Sequence, residues 1–376
     1  MGILNFNTLV KDLCPDAISI AKLSNWKGGR VAIDLNNLLY IHMSVAWRQV
    51  VNDSNIPYED PDMVQYTKIY LENIRRMIMR FLRNKITPVI VCDGPPPPEK
   101  DAIARKKRQA KKTEDKDLYD ELHEVLLAQD PLTVEISDIS RLKTYLLRRT
   151  PVTTTDIETI KAVLSGIGIP VLQSTAEAET LCSLMCRTGL VDLVYSTDTD
   201  NLVYGCPIMM TGFEGTAFDP ETNERVDQVK IYNFNKIIER LDVTYEQFVD
   251  ICIMSGCDYN HNIPGIGVKT SYKLIKEYGS IDNLADKYDV TCLNHVKCRE
   301  LFADRTYQEL CENSQDKINV DLNSLSEYAR DCLEPYGVDY WISDLIEIYR
   351  DFPQNPVMVT IHPRTVLPEI VIVLDD

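Results

Sequence analysis

The chain has 376 residues, of which 44% are hydrophobic and 26% charged, and its net charge is −17. A chain of this length can bury a sizeable core, in one large α/β domain with an appendage or in two domains. Its apolar runs are far too short to span a bilayer, so we expect no membrane partner. The eleven cysteines, many in apolar runs, are typical of reduced thiols inside a cell.

Predicted helices and strands alternate along the chain in the manner of an α/β protein. Continuous β-branched runs indicate buried parallel strands, and apolar residues at helical spacing indicate the helices. A polar segment, residues 113–150, interrupts this alternation and is predicted to be an insertion. In chain order, the predicted elements are helix 4–13, strand 31–34, a helix through residues 38–42, helix 63–84, strand 88–93, a charged helix to about 127, helix 155–164, strand 170–172, helix 176–188 and strand 191–197.

Three of these apolar runs end on an aspartate, at Asp34, Asp93 and Asp198. Ligands of open α/β sheets gather at the carboxyl ends of the strands, so we expect the three carboxylates at one edge. Carboxylates placed together repel each other unless a cation lies among them. The seven acids without a basic neighbour in sequence therefore indicate a catalytic site for hard divalent cations, which prefer oxygen ligands. The other four are Glu177, Glu179, Asp200 and Asp258.

Basic residues are concentrated in two clusters despite the negative total. A local basic patch beside a cation-loaded acidic pocket can bind a polyanion. A solvated helix face is the better interpretation of an isolated charge run, but the nearness of Asp93 to the first cluster favours binding. The first cluster comprises Lys100, Arg105, Lys106, Lys107, Arg108, Lys111 and Lys112, and the second Arg141, Lys143, Arg148 and Arg149.

A glycine-containing turn joins a helix that ends near Gly256 to another that begins near Thr270. Gly265 and Gly267 keep side chains away, so backbone N–H groups at a helix start can approach a phosphate. A plain helix hairpin is the ordinary explanation of such a turn. Its position soon after Asp258, with Lys269 close by, favours phosphate binding.

In their order along the chain, these motifs resemble those of the flap endonuclease family of structure-specific 5′ nucleases. The resemblance covers residues 1 to about 284 and continues weakly beyond. Each motif alone is common, but the ordered set is specific. The motifs are Met1-Gly2-Ile3, Val31-Ala32-Ile33-Asp34, Asp93-Gly94, Ala176-Glu177-Ala178-Glu179, Thr197-Asp198-Thr199-Asp200, Gly256-Cys257-Asp258-Tyr259 and Gly265-Ile266-Gly267.

The resemblance implies a PIN-like three-layer α/β domain with a mostly parallel central sheet. It also implies a helical arch insert and a helix-turn-helix (helix-two-turn-helix) element that binds DNA. The expected divisions are an N-terminal nuclease region over 1–112, the arch and cap over 113–150, an internal nuclease region over 151–255, the duplex-binding element over 256–285, and a C-terminal region with its tail over 286–376.

The implied activity is hydrolysis of DNA phosphodiester bonds at 5′ flaps and junctions, in DNA replication, repair or recombination. Two Mg²⁺ ions roughly 4 Å apart would carry this reaction, and Mn²⁺ could replace them. By resemblance, Asp34, Asp93, Glu177 and Glu179 surround one ion, and Asp198, Asp200 and Asp258 the other. The resemblance also allows a monovalent cation at the turn 262–268.

The same resemblance suggests which residues contact the substrate. Family nucleases place a lysine and an arginine above the metal pocket, where Lys100 matches directly and Lys107 matches by ungapped count, with Arg105 and Arg108 as rivals. Tyr40 matches a base-stacking tyrosine, although a core tyrosine is an equally good interpretation. The further expected DNA contacts are Gly2, Arg48, Arg148, Gly265, Gly267 and Lys269.

Several alternatives stay open on the sequence. The Ala-Glu-Ala-Glu motif favours a flap endonuclease and Gly-Cys-Asp-Tyr is compatible with a 5′–3′ exonuclease. A non-catalytic DNA-binding scaffold or a related 5′ exoribonuclease would keep the same sheet. Cys292, His295 and Cys298, with Cys311, could bind Zn²⁺, but their spacing favours incidental clustering.

The expected partner is branched or nicked double-stranded DNA with a 5′ single strand. We expect a monomer, and the tail contains no clear sliding-clamp peptide of the Gln-x-x-Leu-x-x-Phe-Phe type. The basic run at 104–112 resembles a nuclear import signal, so we expect an intracellular protein of the nucleus or another site of DNA replication.

Overall fold

The computed structural model describes residues 2–100, 106–218, 225–303, 333–338 and 340–349. Its strands are β1 Ile18–Lys22, β2 Arg30–Asp34, β3 Thr87–Cys92, β4 Val171–Gln173, β5 Leu193–Tyr195, β6 Ile208–Phe218 and β7 Arg225–Asn233. Its helices are α1 Phe6–Leu13, α2 Leu35–Asp53, α3 Met63–Arg83, α4 Pro98–Lys100, α5 Lys106–Leu127, α6 Ile136–Leu147, α7 Thr154–Gly166, α8 Ala178–Arg187, α9 Asp200–Val203, α10 Phe234–Leu241, α11 Tyr245–Ser255, α12 Val268–Tyr278, α13 His295–Phe302 and α14 Trp341–Tyr349.

One sheet contains these strands in the order β1-β7-β6-β5-β2-β3-β4. The four central pairings, β5 with β6, β2 with β5, β2 with β3 and β3 with β4, are parallel. The pairings of β1 with β7 and of β6 with β7 are antiparallel. The predicted α/β class with a mostly parallel sheet is therefore confirmed.

Side chains of the central strands alternate between two cores. In β2, Val31 and Ile33 belong to the core beneath α2 and α3, whereas Ala32 belongs to the core beneath α1, α8 and α11. In β3, Ile90 belongs to the core beneath α2 and α3, and Val91 belongs to the core beneath α1, α8 and α11. Burial on both faces explains why these strands read as unbroken apolar runs. Helices on both faces of the sheet give the three predicted layers.

The structure differs from the sequence prediction after β5. The predicted strand 191–197 ends at Tyr195 and α9 begins at Asp200, so Asp198 and Asp200 both lie beyond the strand. Local hydrogen bonds turn the chain here. The Asp198 N–H donates to Ser196 Oγ at 3.0 Å, and the Asn201 amide donates to the Asp198 carbonyl at 3.1 Å. Short polar side chains of this kind compete with strand pairing.

Sequence reasoning did not predict β1 or the long hairpin of β6 and β7. The hairpin contains Gly212 and Gly215, and its register shifts at both positions. Such irregularities interrupt the alternation by which a strand is read from sequence.

The predicted insertion consists mainly of two helical segments, joined by the non-helical residues 128–135. Helix α5 runs without a break across the expected boundary between residues 112 and 113, and α6 packs beside it. The division into five regions stays a prediction, and the tail after Tyr349 lies outside the described residues. Within those residues, none of the helices combines the length and apolar character that crossing a bilayer requires.

Candidate active site

Two of the predicted acids lie at the ends of adjacent parallel strands. Asp34 is the last residue of β2 and caps α2, because its Oδ1 accepts the Asn37 N–H at 3.1 Å. Asp93 follows β3 directly. The register pairs Asp34 with Val91, so both acids emerge at one edge of the sheet.

Glu177 and Glu179 reach this edge from the start of α8. Between them, the Ala178 N–H donates to Asp93 Oδ1 at 2.7 Å. The loop after β3 also approaches closely, since the Gly94 N–H donates to the Ala176 carbonyl at 2.7 Å. A Cβ at Gly94 would lie 2.5 Å from the Ser174 carbonyl oxygen, so this approach requires glycine.

Asp198 and Asp258 come from two further loops, and Asp200 is the first residue of α9. The Asp200 N–H donates to Asp198 Oδ1 at 3.3 Å. Asp200 Oδ1 is buried and has no hydrogen-bond partner within the described part of the chain. A buried acceptor without a partner is costly, and a bound ion is one of its ordinary explanations.

The pKa values show that the acids form one electrostatic group. Burial, followed by repulsion from Asp93 and Asp198, raises the pKa of Asp34 to about 7. Burial and repulsion from Asp34, Asp93 and Asp198 raise the pKa of Glu179 well above its ordinary value. Burial and repulsion from Asp198 and Asp258 do the same to the pKa of Asp200. The two expected metal groups therefore lie within reach of each other.

Two cations, one from α4 and one from the first turn of α5, contact this acidic group. The Lys100 ammonium pairs with Glu177 and lies 3.6 Å from Asp258, while Arg108 Nη2 lies 2.7 Å from Asp258 Oδ2. Burial disfavours the charged form of Lys100, but Glu177 leads the carboxylates that hold its pKa well above the ordinary value. The Tyr259 hydroxyl donates to the second oxygen of Glu177. Of the three candidates for the second cation, Arg108 is described in contact with Asp258, whereas Arg105 and the Lys107 side chain lie outside the described residues.

The donor set suits divalent cations. All seven side chains offer carboxylate oxygens, which are the ligands that Mg²⁺ and Mn²⁺ prefer. Among the described contacts, only two cations balance the negative charge of the seven acids. In addition, Asp200 Oδ1 has no hydrogen-bond partner among the described residues. Within the described ranges, however, no three metal-ligating side chains converge closely enough to hold an ion as they stand. This includes Cys292, His295 and Cys298, of which His295 bonds to Asp282 at 3.0 Å; Cys311 is not described.

Two predicted DNA-contacting residues on α2 are exposed, whereas the predicted contact Gly2 is buried. Tyr40 is 58% exposed on α2, so its interpretation as a core tyrosine is wrong. Arg48, eight residues further along the same helix, is also exposed. Gly2 has a φ of +89°, and a Cβ there would collide with Asp198 and Thr199, so the first described residue lies against the acidic group.

The arch and the glycine turn carry the remaining predicted contacts. Arg148, at the end of α6, lies 3.0 Å from Asp115 of α5, which is only 4% exposed. In the turn, Gly265 has a φ of +80° and Gly267 caps α12. No described atom lies within 4 Å of a Cβ at either glycine, so the backbone faces open space. Lys269 pairs with Asp12.

Sequence reasoning missed two side chains that contact the acids, Asn36 and Tyr259, and a third, Asn37, that bonds to a neighbour of an acid. Asn36 donates to Asp93 Oδ2, and Asn37 bonds to Thr197, the residue before Asp198. Their one signal in the sequence is position, since the asparagines follow Asp34 at a helix start and Tyr259 follows Asp258.

Comparisons with known proteins agree with this geometry. The family model of the XPG N-terminal domain matches residues 1–115, and that of the XPG I-region matches residues 168–258. Flap endonuclease 1 of Enterocytozoon bieneusi (strain H348) is 32% identical over 284 residues, which cover 76% of this chain and 72% of that protein.

Solved structures share the fold. Flap endonuclease-1 from Methanococcus jannaschii superposes with a TM-score of 0.57 at 20% identity, covering 89% of this chain and 95% of that chain. The catalytic core of Rad2 in complex with DNA substrate gives a TM-score of 0.53 at 18% identity, covering 92% of this chain and 100% of that one.

A mostly parallel sheet that carries an acidic group at its carboxyl edge, beneath basic helices, defines a PIN-like nuclease. The chain belongs to the flap endonuclease family. It is accordingly a hydrolase, a structure-specific 5′ nuclease that acts on DNA.

Proposed function

We propose that the protein cleaves branched DNA at 5′ flaps and junctions with two Mg²⁺ ions, in replication, repair or recombination. The observation that carries this proposal is the surplus of carboxylates over cations at one edge of the sheet. Such a surplus destabilises the folded state unless cations are bound. A fold kept only for DNA binding would gain nothing from unneutralised acids that face phosphate.

Seven side chains would hold the ions. Asp34, Asp93, Glu177 and Glu179 would surround one, and Asp198, Asp200 and Asp258 the other. When bound, two such ions activate the attacking water, stabilise the leaving oxygen and neutralise charge on the scissile phosphate. Mn²⁺ has similar preferences and would replace Mg²⁺.

Basic side chains above the pocket would complete the site. Lys100 and Arg108 already contact Glu177 and Asp258, so a phosphate entering between them and the acids would meet two cations. Their charge would stabilise the negative charge that develops on the phosphate oxygens. The exposed ring of Tyr40 would stack on a base, which is a sequence-tolerant contact.

The glycine turn would bind the duplex arm of the substrate. Its open backbone and the start of α12 suit a phosphate group, and a monovalent cation at 262–268 would serve the same contact. Rad2 was solved with a DNA substrate, and we extend a branched DNA substrate to this chain. We further propose that the protein acts as a monomer in the nucleus or at another site of DNA replication.

The test is cleavage of labelled 5′-flap DNA, nicked duplex and single-stranded RNA, each with Mg²⁺, Mn²⁺ or EDTA. We expect the flap substrate to be cut near its junction with either metal ion and to stay intact in EDTA. Stepwise release of nucleotides from the nicked duplex would instead support a 5′–3′ exonuclease. Cleavage of the RNA alone would support an exoribonuclease, and binding without cleavage a scaffold.

A further inference from the structure

Helix α2 begins at the centre of the site. It follows β2 without a loop, and β2 lies between β5 and β3 in the sheet. Its first turn carries two adjacent asparagines, Asn36 and Asn37. Consecutive residues on a helix point about 100° apart, so the two amides can reach the strands on opposite sides of β2.

Asn37 reaches toward β5. Its Oδ1 accepts the Thr197 N–H at 3.1 Å, and its Nδ2 donates to Thr197 Oγ1 at 3.1 Å. Its own backbone N–H donates to Asp34 Oδ1 at 3.1 Å. Because Thr197 directly precedes Asp198, Asn37 connects the Asp34 carboxylate at the end of β2 to the loop that carries Asp198.

Asn36 reaches toward β3. Its Nδ2 donates to Asp93 Oδ2, while the other oxygen of Asp93 accepts the Ala178 N–H at 2.7 Å. Asp93 is thereby held from both sides, and Ala178 lies between Glu177 and Glu179. The two asparagines thus connect the end of β2 and the loops after β3 and β5 to the start of α8.

We propose that Asn36 and Asn37 are positioning residues that hold the carboxylates ready for the metal ions. The inference rests on the proposed metal function. A neutral amide suits this role because it orients a carboxylate without neutralising it, whereas a lysine would act as a competing counter-ion and an aspartate would add repulsion. Partners that orient metal ligands from behind typically contribute 10- to 100-fold to metal affinity.

The test compares Asn36→Ala and Asn37→Ala with Asn52→Ala, an exposed asparagine near the other end of the same helix. Mg²⁺ affinity is measured by isothermal titration calorimetry, and flap cleavage is followed in single turnovers across a Mg²⁺ series. Asn36 and Asn37 lie outside the apolar core and alanine favours helix, so the variants should fold. Circular dichroism checks this.

We expect each variant to bind Mg²⁺ about tenfold or more weakly, with much of the cleavage rate recovered at high Mg²⁺. Affinity for flap DNA in EDTA should not change, and Asn52→Ala should behave as wild type. Asn37→Ala and Thr197→Val should be non-additive, because Thr197→Val removes the Oγ1 bond, which Asn37→Ala also removes together with the bond from the Thr197 N–H.

Unchanged Mg²⁺ affinity in folded Asn36→Ala and Asn37→Ala, beside a Mg²⁺-dependent wild type, would overturn this inference and leave the proposed function intact. A wild-type protein that neither binds Mg²⁺ nor needs it for cleavage would overturn both. Should Asn37→Ala fail to fold, Thr197→Val tests the same link through an exposed residue.

Discussion

Two groups of acids in this protein differ in how their charge is balanced. Where α11 meets α13, Arg299 donates to both oxygens of Asp250 at 2.7 Å and lies 2.8 Å from Asp282. The Ile281 N–H also donates to Asp250, at 3.0 Å. At the sheet edge, by contrast, seven carboxylates meet Lys100 and Arg108.

The pKa shifts of the two groups have opposite signs. The hydrogen bond from Arg299 lowers the pKa of Asp282 to about 2, whereas burial and neighbouring acids raise the pKa of Asp34 to about 7. The charged form of Asp282 is therefore favoured in the fold as it stands. In the second group, burial and mutual repulsion disfavour the charged forms of Asp34, Glu179 and Asp200, which is the arrangement expected of a site that binds a cation.

Loss of one sheet-edge carboxylate should have the largest effect. Asp198→Ala should slow flap cleavage about a thousandfold or more, since several kcal/mol of transition-state stabilisation disappear with a metal ligand. Binding of flap DNA in EDTA should be equal or tighter, because one anion near phosphate is removed. Single-turnover kinetics and fluorescence anisotropy measure the two quantities. A near-normal rate in Mg²⁺ would contradict the two-metal mechanism.

Substitution in the group of Asp250 and Asp282, whose charge is balanced by Arg299, should change stability and not catalysis. Arg299→Leu leaves Asp250 buried without its cation and should lower the free energy of unfolding by about 3 kcal/mol, at the low end for a buried pair because Arg299 is 32% exposed. Urea unfolding measures this loss. The cleavage rate per folded molecule should equal that of wild type, and a large loss of rate would remove the distinction between the two groups.

Removal of a cation above the acids should affect chemistry more than binding. Lys100→Ala should slow single-turnover cleavage about a hundredfold, as expected when a group that stabilises developing charge is lost. Affinity for flap DNA should fall only a few-fold. Lys273→Ala, on the exposed side of α12, serves as a control for general loss of positive charge. Equal losses in rate and affinity would make Lys100 an ordinary phosphate contact.

The pH dependence of stability should differ in sign between the two groups. A raised pKa means that folded protein binds more protons than unfolded protein between pH 4 and 7, so the metal-free protein should lose stability as the pH rises through that range. Asp34→Asn should flatten this dependence. The lowered pKa of Asp282 contributes stability that is lost as the pH falls from about 4 to 2. Thermal unfolding in EDTA from pH 3 to 8 would reveal either trend, and stability that rises from pH 4 to 7 would contradict the first.

The glycine turn should show the smallest effect. Because Lys269 pairs with Asp12, the turn would hold phosphate mainly through its backbone. A Cβ at Gly267 would have no described protein atom within 4 Å, so Gly267→Val should not disturb the fold. Duplex affinity should fall a few-fold, and the salt slope should drop by about one with the lost contact. Unchanged affinity for duplex DNA in the folded variant would mean that the turn only joins two helices and does not bind phosphate.

Much of the sheet edge could be predicted from the sequence. Runs such as 31–34 and 88–93 are buried on both faces, so their β-branched pattern is clear and the aspartates that follow them are placed by topology alone. The end of β5 was missed because Ser196 and Asn201 form local bonds that a pattern of apolar residues does not reveal.

The partners of the acids could not be predicted. Arg108 lies 150 residues from Asp258, and its contact depends on the direction in which α5 leaves the sheet. Asn36 and Asn37 look like ordinary polar residues of a helix start, and only their three-dimensional neighbours reveal what they bind. Sequence spacing predicts which loops meet, but side-chain direction is decided by packing.

Helix α5 contacts both the acidic group and helix α6. Near the start of α5, Arg108 forms an ion pair with Asp258. Seven residues further along, or about 10 Å, Asp115 forms an ion pair with Arg148 at the end of α6. An uninterrupted helix transmits displacement along its axis as a stiff rod does. We therefore expect any displacement of α6 to move Arg108 relative to Asp258. The charge that surrounds Asp258 would in this way depend on the position of α6.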